Sequence, residues 1–277
     1  MNPHDYCQAK AAQSGSSFYY SFLFLPPDQR RAITALYAFC REVDDVVDEC
    51  SDRDLARVKL AWWRGEIASA YDGRPNHPVA RALAEVKTRF NLSQERLQEI
   101  VDGMEMDLDH NGYPDFEALR LYCHRVASVV GLLSAEIFGY ADPRTLQYAA
   151  DLGLAFQLTN IIRDVGEDAR RNRIYLPIDE MQQHGVSASE IGFAQETDNF
   201  RRLMEFQIER ALGYYRQALA ALPAIDRRSQ RAGLVMAAIY RTLLDEIRAD
   251  GCRVLTRRTS LTPIRKLWIA WKTWVKS

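Results

Sequence analysis

The sequence contains no C-x-x-C pair, and its five cysteines, Cys7, Cys40, Cys50, Cys123 and Cys252, are odd in number. That excludes a disulfide framework or a zinc ribbon and makes a reducing cytoplasm the expected location. Net charge is nearly absent as well: 36 Lys and Arg against 37 Asp and Glu leave a formal −1. A protein that finds nucleic acid through its overall field is thereby excluded. Long apolar runs are missing. The run near the N-terminus, Phe18 to Leu25, is closed by Pro26 and Pro27, too short to span a bilayer and poor as a signal peptide, so no transmembrane helix is expected. Alternating apolar and polar runs, low-complexity tracts and solenoid repeats are also lacking, which removes sheet proteins, disordered tails and repeat arrays. No G-x-G-x-x-G follows a strand, so no Rossmann dinucleotide site is expected; a helical protein need not bind NADPH that way, and the expectation that NADPH is not required is a separate one.

What is present is helical periodicity. Gly and Pro act as punctuation, at Pro26-Pro27, Asp72-Gly73, Pro78, Asn111-Gly112, Asp142-Pro143, Pro177, Pro223 and Pro263. No long linker divides the chain, and the spacing predicts an all-α fold built as one large helical domain. Between Asp28, the expected N-cap, and Cys50, the residues Ile33, Leu36, Cys40, Val43 and Val47 form an apolar stripe. Tyr37, Arg41, Asp44 and Asp48 fall in a narrow sector beside that stripe, so the carboxylates border the core. A second helix, from about Thr145 to Asp168, is apolar almost all round and should be buried. Its exceptions, Gln157, Asn160, Asp164 and Asp168, share one sector with Gly153.

Carboxylates four residues apart on a helix lie about 6 Å apart and repel by roughly 3 kcal/mol at an effective dielectric of ~20. Arginine partners, protonation or bound cations could each compensate. The all-oxygen donor set suits Mg²⁺ best, and Mg²⁺ that bridges carboxylates to phosphates implies a diphosphate ligand between the two helices. Arg41, Arg163, Arg170, Arg171 and Arg173 stand next to these acids and are suited to phosphate oxygens. The hydroxyls of the stretch from Ser14 to Tyr20 could grip a second diphosphate.

Several ordered motifs together resemble the squalene and phytoene synthase family, the head-to-head trans-prenyl synthases. They are S-S-F-Y-Y-S-F (16 to 22), Y-A-F-C-R-E-V-D-D-V-V-D-E (37 to 49), Y-C-H-R-V-A-S-V-V-G (122 to 131), Q-L-T-N-I-I-R-D-V-G-E-D (157 to 168) and R-I-Y-L-P (173 to 177). The run from Ser14 through Pro27 is most similar to the presqualene diphosphate synthases of bacterial hopanoid pathways. The resemblance implies a trans-isoprenoid synthase fold with a central cavity, in which two farnesyl diphosphates condense to presqualene diphosphate. It implies Mg²⁺, replaceable by Mn²⁺, with Asp44 and Asp48 as one ligand set and Asn160, Asp164 and Asp168 as the other. It assigns Arg41, Arg163, Arg173, Tyr175, Tyr240 and Arg257 to diphosphate binding, Ser17 and Phe18 to the second diphosphate, and Tyr122 to the reaction centre. Ser14-Gly15 departs from the His-Ser of some relatives. Phytoene, dehydrosqualene and NADPH-dependent squalene synthesis are the enzymatic alternatives. A non-catalytic helical assembly factor or lipid-binding protein is the alternative of another class, and the intact acids speak against it. Downstream enzymes of the hopanoid pathway are the implied partners.

The near-zero net charge hides segregation. Residues 42 to 49 hold five acids and no base, whereas residues 251 to 277 hold seven Lys or Arg and no acid. The synthase domain is expected over 1–260. Residues 261–277 read as a basic amphipathic helix, with Ile264, Leu267, Trp268, Trp271 and Val275 on one face. Such a helix can dock on the domain or lie on the inner face of the cytoplasmic membrane.

Overall fold

The computed structural model describes residues 2–13, 21–50, 52–109 and 112–276, and every regular element among them is a helix. The all-α expectation is met. In chain order these are α1 (Pro3–Gln13), α2 (Pro27–Glu49), α3 (Arg53–Asp72), α4 (Pro78–Val86), α5 (Gln94–Asp109), α6 (Phe116–Cys123), α7 (Val129–Phe138) and α8 (Arg144–Arg170), then α9 (Ile178–Gln183), α10 (Ala188–Gly192), α11 (Asp198–Ala221), α12 (Arg231–Ala249) and α13 (Pro263–Lys276). A single isolated bridge, Gly112 with Ile174, is the sole strand-like pairing among the described residues.

Helix α2 starts one residue before the expected cap. Pro26 is its N-cap and Pro27 its first residue, because a proline needs no N–H partner there and its φ already suits the helix. Asp28 falls inside the first turn and pairs with Arg89 at 2.7 Å. Helix α8 is the axis of the molecule. Its apolar residues are buried on all sides, from Leu152, Leu154 and Leu158 to Ile161, Ile162 and Val165, as a helix apolar all round requires.

Two apolar clusters flank the site. One gathers α8, α11 and α12 around Tyr148, Phe200 and Tyr215; the other gathers α2 to α5 and α7 around Phe39, Leu60 and Ile100. Val126 touches both clusters. It lies on a π-helical turn, His124–Ser128, that joins α6 to α7. The stretch Phe116–Phe138 is long and apolar enough to cross a membrane, against the expectation that none would be, but half of it is buried inside the protein. It is a core helix, wedged against α8 so closely that a Cβ on Gly131 would strike the Ala149 carbonyl, and one on Gly153 the Ala127 carbonyl.

Candidate active site

The two acidic lines face each other across a cavity of about 510 Å³. Helix α2 contributes Tyr37, Cys40, Arg41, Asp44 and Asp48; helix α8 contributes Gln157, Asn160, Arg163, Asp164, Glu167 and Asp168. Met104 and Asp107 come from α5, Tyr122 from α6, Arg171, Arg173 and Tyr175 from the segment after α8, and Tyr240 from α12. The segment Arg258 to Leu261 and Lys266 from α13 form a further wall, and Val126, Ile161, Ile239 and Leu243 supply apolar lining. A second, apolar pocket of about 180 Å³ adjoins it and shares Tyr37, Cys40, Val126, Gln157 and Asn160. Ser17 and Phe18 lie outside the described residues.

Arginines compensate most of the acids. Arg41 donates to Asp44 Oδ2 at 2.6 Å and to Asp45 Oδ1 at 2.6 Å. Arg173 and Arg171 donate to the two oxygens of Asp48 at 2.6 and 2.9 Å. Asp164 accepts from Arg163 Nε at 2.8 Å and Arg258 Nε at 2.7 Å, and Arg163 also bonds the Tyr240 hydroxyl. Burial pushes the Asp164 carboxyl up, but these two arginines outweigh it and hold it below its ordinary value. Burial and then the nearby Asp48 push Asp44 up to about 6 despite Arg41.

Asp168 is the exception. Burial, reinforced by Asp164 and Asp48, pushes it up to about 8, and no described arginine pairs with it. One turn before Asp164, the buried Asn160 Oδ1 has no hydrogen-bond donor among the described residues. An uncompensated carboxylate and an orphaned amide oxygen on one line fit a hard divalent cation. No three described His, Cys, Asp or Glu side chains converge to hold an ion by themselves; Asp44, Asp48 and Asp164 each accept from arginines instead. The donors fit the cation, and phosphate oxygens would have to complete its shell.

Asp107 escaped the sequence reading. Its Oδ2 accepts from the Tyr122 hydroxyl at 2.9 Å and the Tyr175 hydroxyl at 3.0 Å. The rings of Tyr122 and Tyr175 stack at 5.4 Å, and Tyr113 stacks on Tyr175 at 6.1 Å. Burial pushes Asp107 up to about 7 despite those donors and Arg173. Burial and the Asp107 charge hold the Tyr122 phenol well above its ordinary value. The one signal in the sequence is an acid beside the apolar stripe of α5, between Met104 and Leu108. Arg257 does not reach the cavity; it pairs with Asp250, and the cation on Asp164 is its neighbour Arg258. Gly166 lets that segment pass directly over α8, where a Cβ would meet the Leu255 and Val254 carbonyls.

The squalene/phytoene synthase family model matches residues 11–265. Phytoene synthase 2 of Solanum lycopersicum is 37% identical over 270 residues, covering 95% of this chain and 87% of that protein. Other plant phytoene synthases are longer, and the chain spans 64% of the one from Narcissus pseudonarcissus. Among solved structures, a dehydrosqualene synthase with a bound ligand superposes with a TM-score of 0.90 at 29% identity, covering 99% of this chain and 96% of that one. The squalene synthase HpnC of Alicyclobacillus acidocaldarius gives 0.79 at 28% identity, covering 90% and 94%.

Proposed function

The chain belongs to the squalene/phytoene synthase family, whose members act on isoprenyl diphosphates, and from that premise we propose that it condenses two farnesyl diphosphates head to head into presqualene diphosphate. The observation that carries the reading is a cavity with two facing acidic lines that continues into an apolar pocket. The polar part suits diphosphates with their counter-cations, and the apolar part suits prenyl chains. Its walls include Phe22, Phe138 and Tyr148, apolar faces suited to such chains.

Asp44 and Asp48 on one side, and Asn160, Asp164 and Asp168 on the other, would hold Mg²⁺, or Mn²⁺ in its place. Bound there, the metal neutralises charge that develops on the leaving diphosphate. Arg41, Arg163, Arg171, Arg173 and Arg258 now sit on carboxylates; turned onto phosphate oxygens, they would bind and orient the diphosphates. Tyr37, Gln157 and Tyr240 complete the wall around them, and Ser17 with Phe18 serve the second diphosphate. Tyr122 and Tyr175, fixed by Asp107, present aromatic faces to the allylic cation and keep water from it.

In the condensation the allylic C–O bond of one substrate breaks and its electrons leave with the diphosphate. The double bond of the second substrate attacks the cation, and loss of a proton closes the cyclopropane. Burial and Asp107 hold the Tyr122 phenol above its ordinary value, and in the proposed reaction an oxygen of the departing diphosphate takes the proton. No reductant enters, and NADPH is not required.

Product identification from purified protein, farnesyl diphosphate and Mg²⁺ tests this. Presqualene diphosphate is expected with or without NADPH, and squalene formed on adding NADPH would overturn it. Phytoene formation is the second reading, favoured by the phytoene synthases at 34–37% identity. It predicts product from geranylgeranyl diphosphate instead.

A further inference from the structure

Helix α13 is amphipathic on two sides. Its inner side closes onto the protein: Ala270 is fully buried, Trp274 lies 5.3 Å from Phe24 and under the Arg231 guanidinium, and Arg265 pairs with Glu246 at 2.7 Å. Its outer side carries Ile264, Trp268, Trp271 and Val275 in helical register, each more than half exposed. Trp268 and Trp271 stack on each other at 5.2 Å and reach no other described ring. A continuous apolar ridge of this kind marks an interaction surface.

Charge restricts the occupant. Of the seven Lys and Arg of residues 251 to 277, Arg257, Arg258 and Arg265 are paired with acids of the domain, whereas Lys272 and Lys276 beside the ridge are exposed. The occupant must be apolar at its centre and anionic around it. Paired tryptophans with flanking lysines on a surface helix match the headgroup boundary of an anionic bilayer. With 14 residues, α13 is too short to span one. It is also coupled to the cavity, since Lys266 on its first turns and the preceding Arg258 to Leu261 form a cavity wall.

The geometry points to α13 as a membrane-surface helix. Its Ile264, Trp268, Trp271 and Val275 ridge enters the headgroup boundary of an anionic bilayer, with Lys272 and Lys276 over the lipid phosphates. That holds one wall of the cavity against the phase in which prenyl chains dissolve. The docking surface stands on the helix alone; only this last link rests on the proposed reaction.

The test is co-sedimentation of the full chain with vesicles of mixed phosphatidylglycerol and phosphatidylcholine, or of phosphatidylcholine alone, read without substrate. The wild type is expected to bind the mixed vesicles and to bind neutral ones about tenfold more weakly or less, with its tryptophan fluorescence quenched by brominated lipid. Lys272→Gln with Lys276→Gln should weaken binding about 25-fold, at roughly fivefold per charge. Trp268→Ser with Trp271→Ser should abolish binding and quenching while preserving the melting temperature and turnover of detergent-dispersed substrate. No vesicle binding by the wild type, undiminished binding by both variants, or a wild-type dimer that the tryptophan variant dissociates without any vesicle binding would each overturn the assignment. Vesicle binding by a protein that makes a different product would leave the helix assignment standing and remove the proposed reaction.

Discussion

The Tyr122 hydroxyl donates to Asp107 Oδ2 over 2.9 Å, which ties α6 to α5 at the cavity wall. The same oxygen takes the Tyr175 hydroxyl, so a single carboxylate sets the positions of two stacked rings from distant parts of the chain. One carboxyl group thus decides where the aromatic faces stand.

Replacing that carboxylate separates geometry from charge. Asp107→Asn keeps an acceptor for both hydroxyls and removes the titration. The folded carboxyl has its proton affinity raised from 3.8 to about 7, so between about pH 4 and 7 the folded state holds a proton that the unfolded state has released. Stability therefore falls as pH rises through that window and levels off above it. The variant should match the wild type near pH 4 and be more stable at pH 8 by about 2 kcal/mol. That is about half of the full ~4 kcal/mol, because the carboxyl is not entirely out of water. Urea unfolding at the two pH values measures it, and equal differences at both would sink the idea. Asp107→Ala, which frees both hydroxyls, should lower kcat about tenfold to hundredfold.

Asp168 presents the opposite balance of stability and function. Its carboxyl is crowded by Asp164 and Asp48 with no arginine in compensation, so Asp168→Asn should raise the melting temperature of the metal-free protein at pH 8. Activity should fall about 10²–10³-fold, and the stabilisation that Mg²⁺ with diphosphate gives the wild type should vanish. Thermal melts with and without Mg²⁺ and diphosphate distinguish the two effects. A variant less stable than wild type in chelator would show that Asp168 is held by something else.

Sequence periodicity disclosed α8 well because a narrow polar line on a helix that is otherwise apolar does not read as a solvated face. The same logic overlooked Asp107: a lone acid at the edge of the α5 stripe looks like a solvated face until Tyr122 and Tyr175 are folded over it. Arg257 and Arg258 could not be told apart, since the chain between α12 and α13 has no helical period, and only the close pass over Gly166 decides which guanidinium faces Asp164. In α13 the exposed ridge was visible in the sequence. Its opposite, docked side rests on the small Ala270 with Ile269 and Trp274, too few to register as a face.

The neighbouring arginines supply a paired control. Arg258 is bonded to Asp164 at 2.7 Å in the cavity wall, and Arg258→Ala should raise KM for the diphosphate substrate about tenfold or more, the range of a charged hydrogen bond. Arg257 pairs with Asp250 away from the cavity, and a surface ion pair contributes little. Arg257→Ala should change KM by less than about twofold. Steady-state kinetics on both variants suffices, and the reverse ranking would return the diphosphate role to Arg257.

Gly166 is the position where backbone contact, rather than a side chain, holds the site together. A Cβ there would collide with the Val254 and Leu255 carbonyls, and carbonyls of a packed segment cannot step aside as a flexible side chain can. Gly166→Ala must therefore push residues 254 to 255 away from α8, at a cost of about 1–3 kcal/mol. Arg258, a few residues on, should lose its hold on Asp164 in the same movement. The variant is expected to combine a lower melting temperature with a KM raised as in Arg258→Ala, and the double variant should show no further rise in KM because both changes break the same contact. Additive KM effects in that cycle would mean that the segment keeps its place over α8 by other contacts.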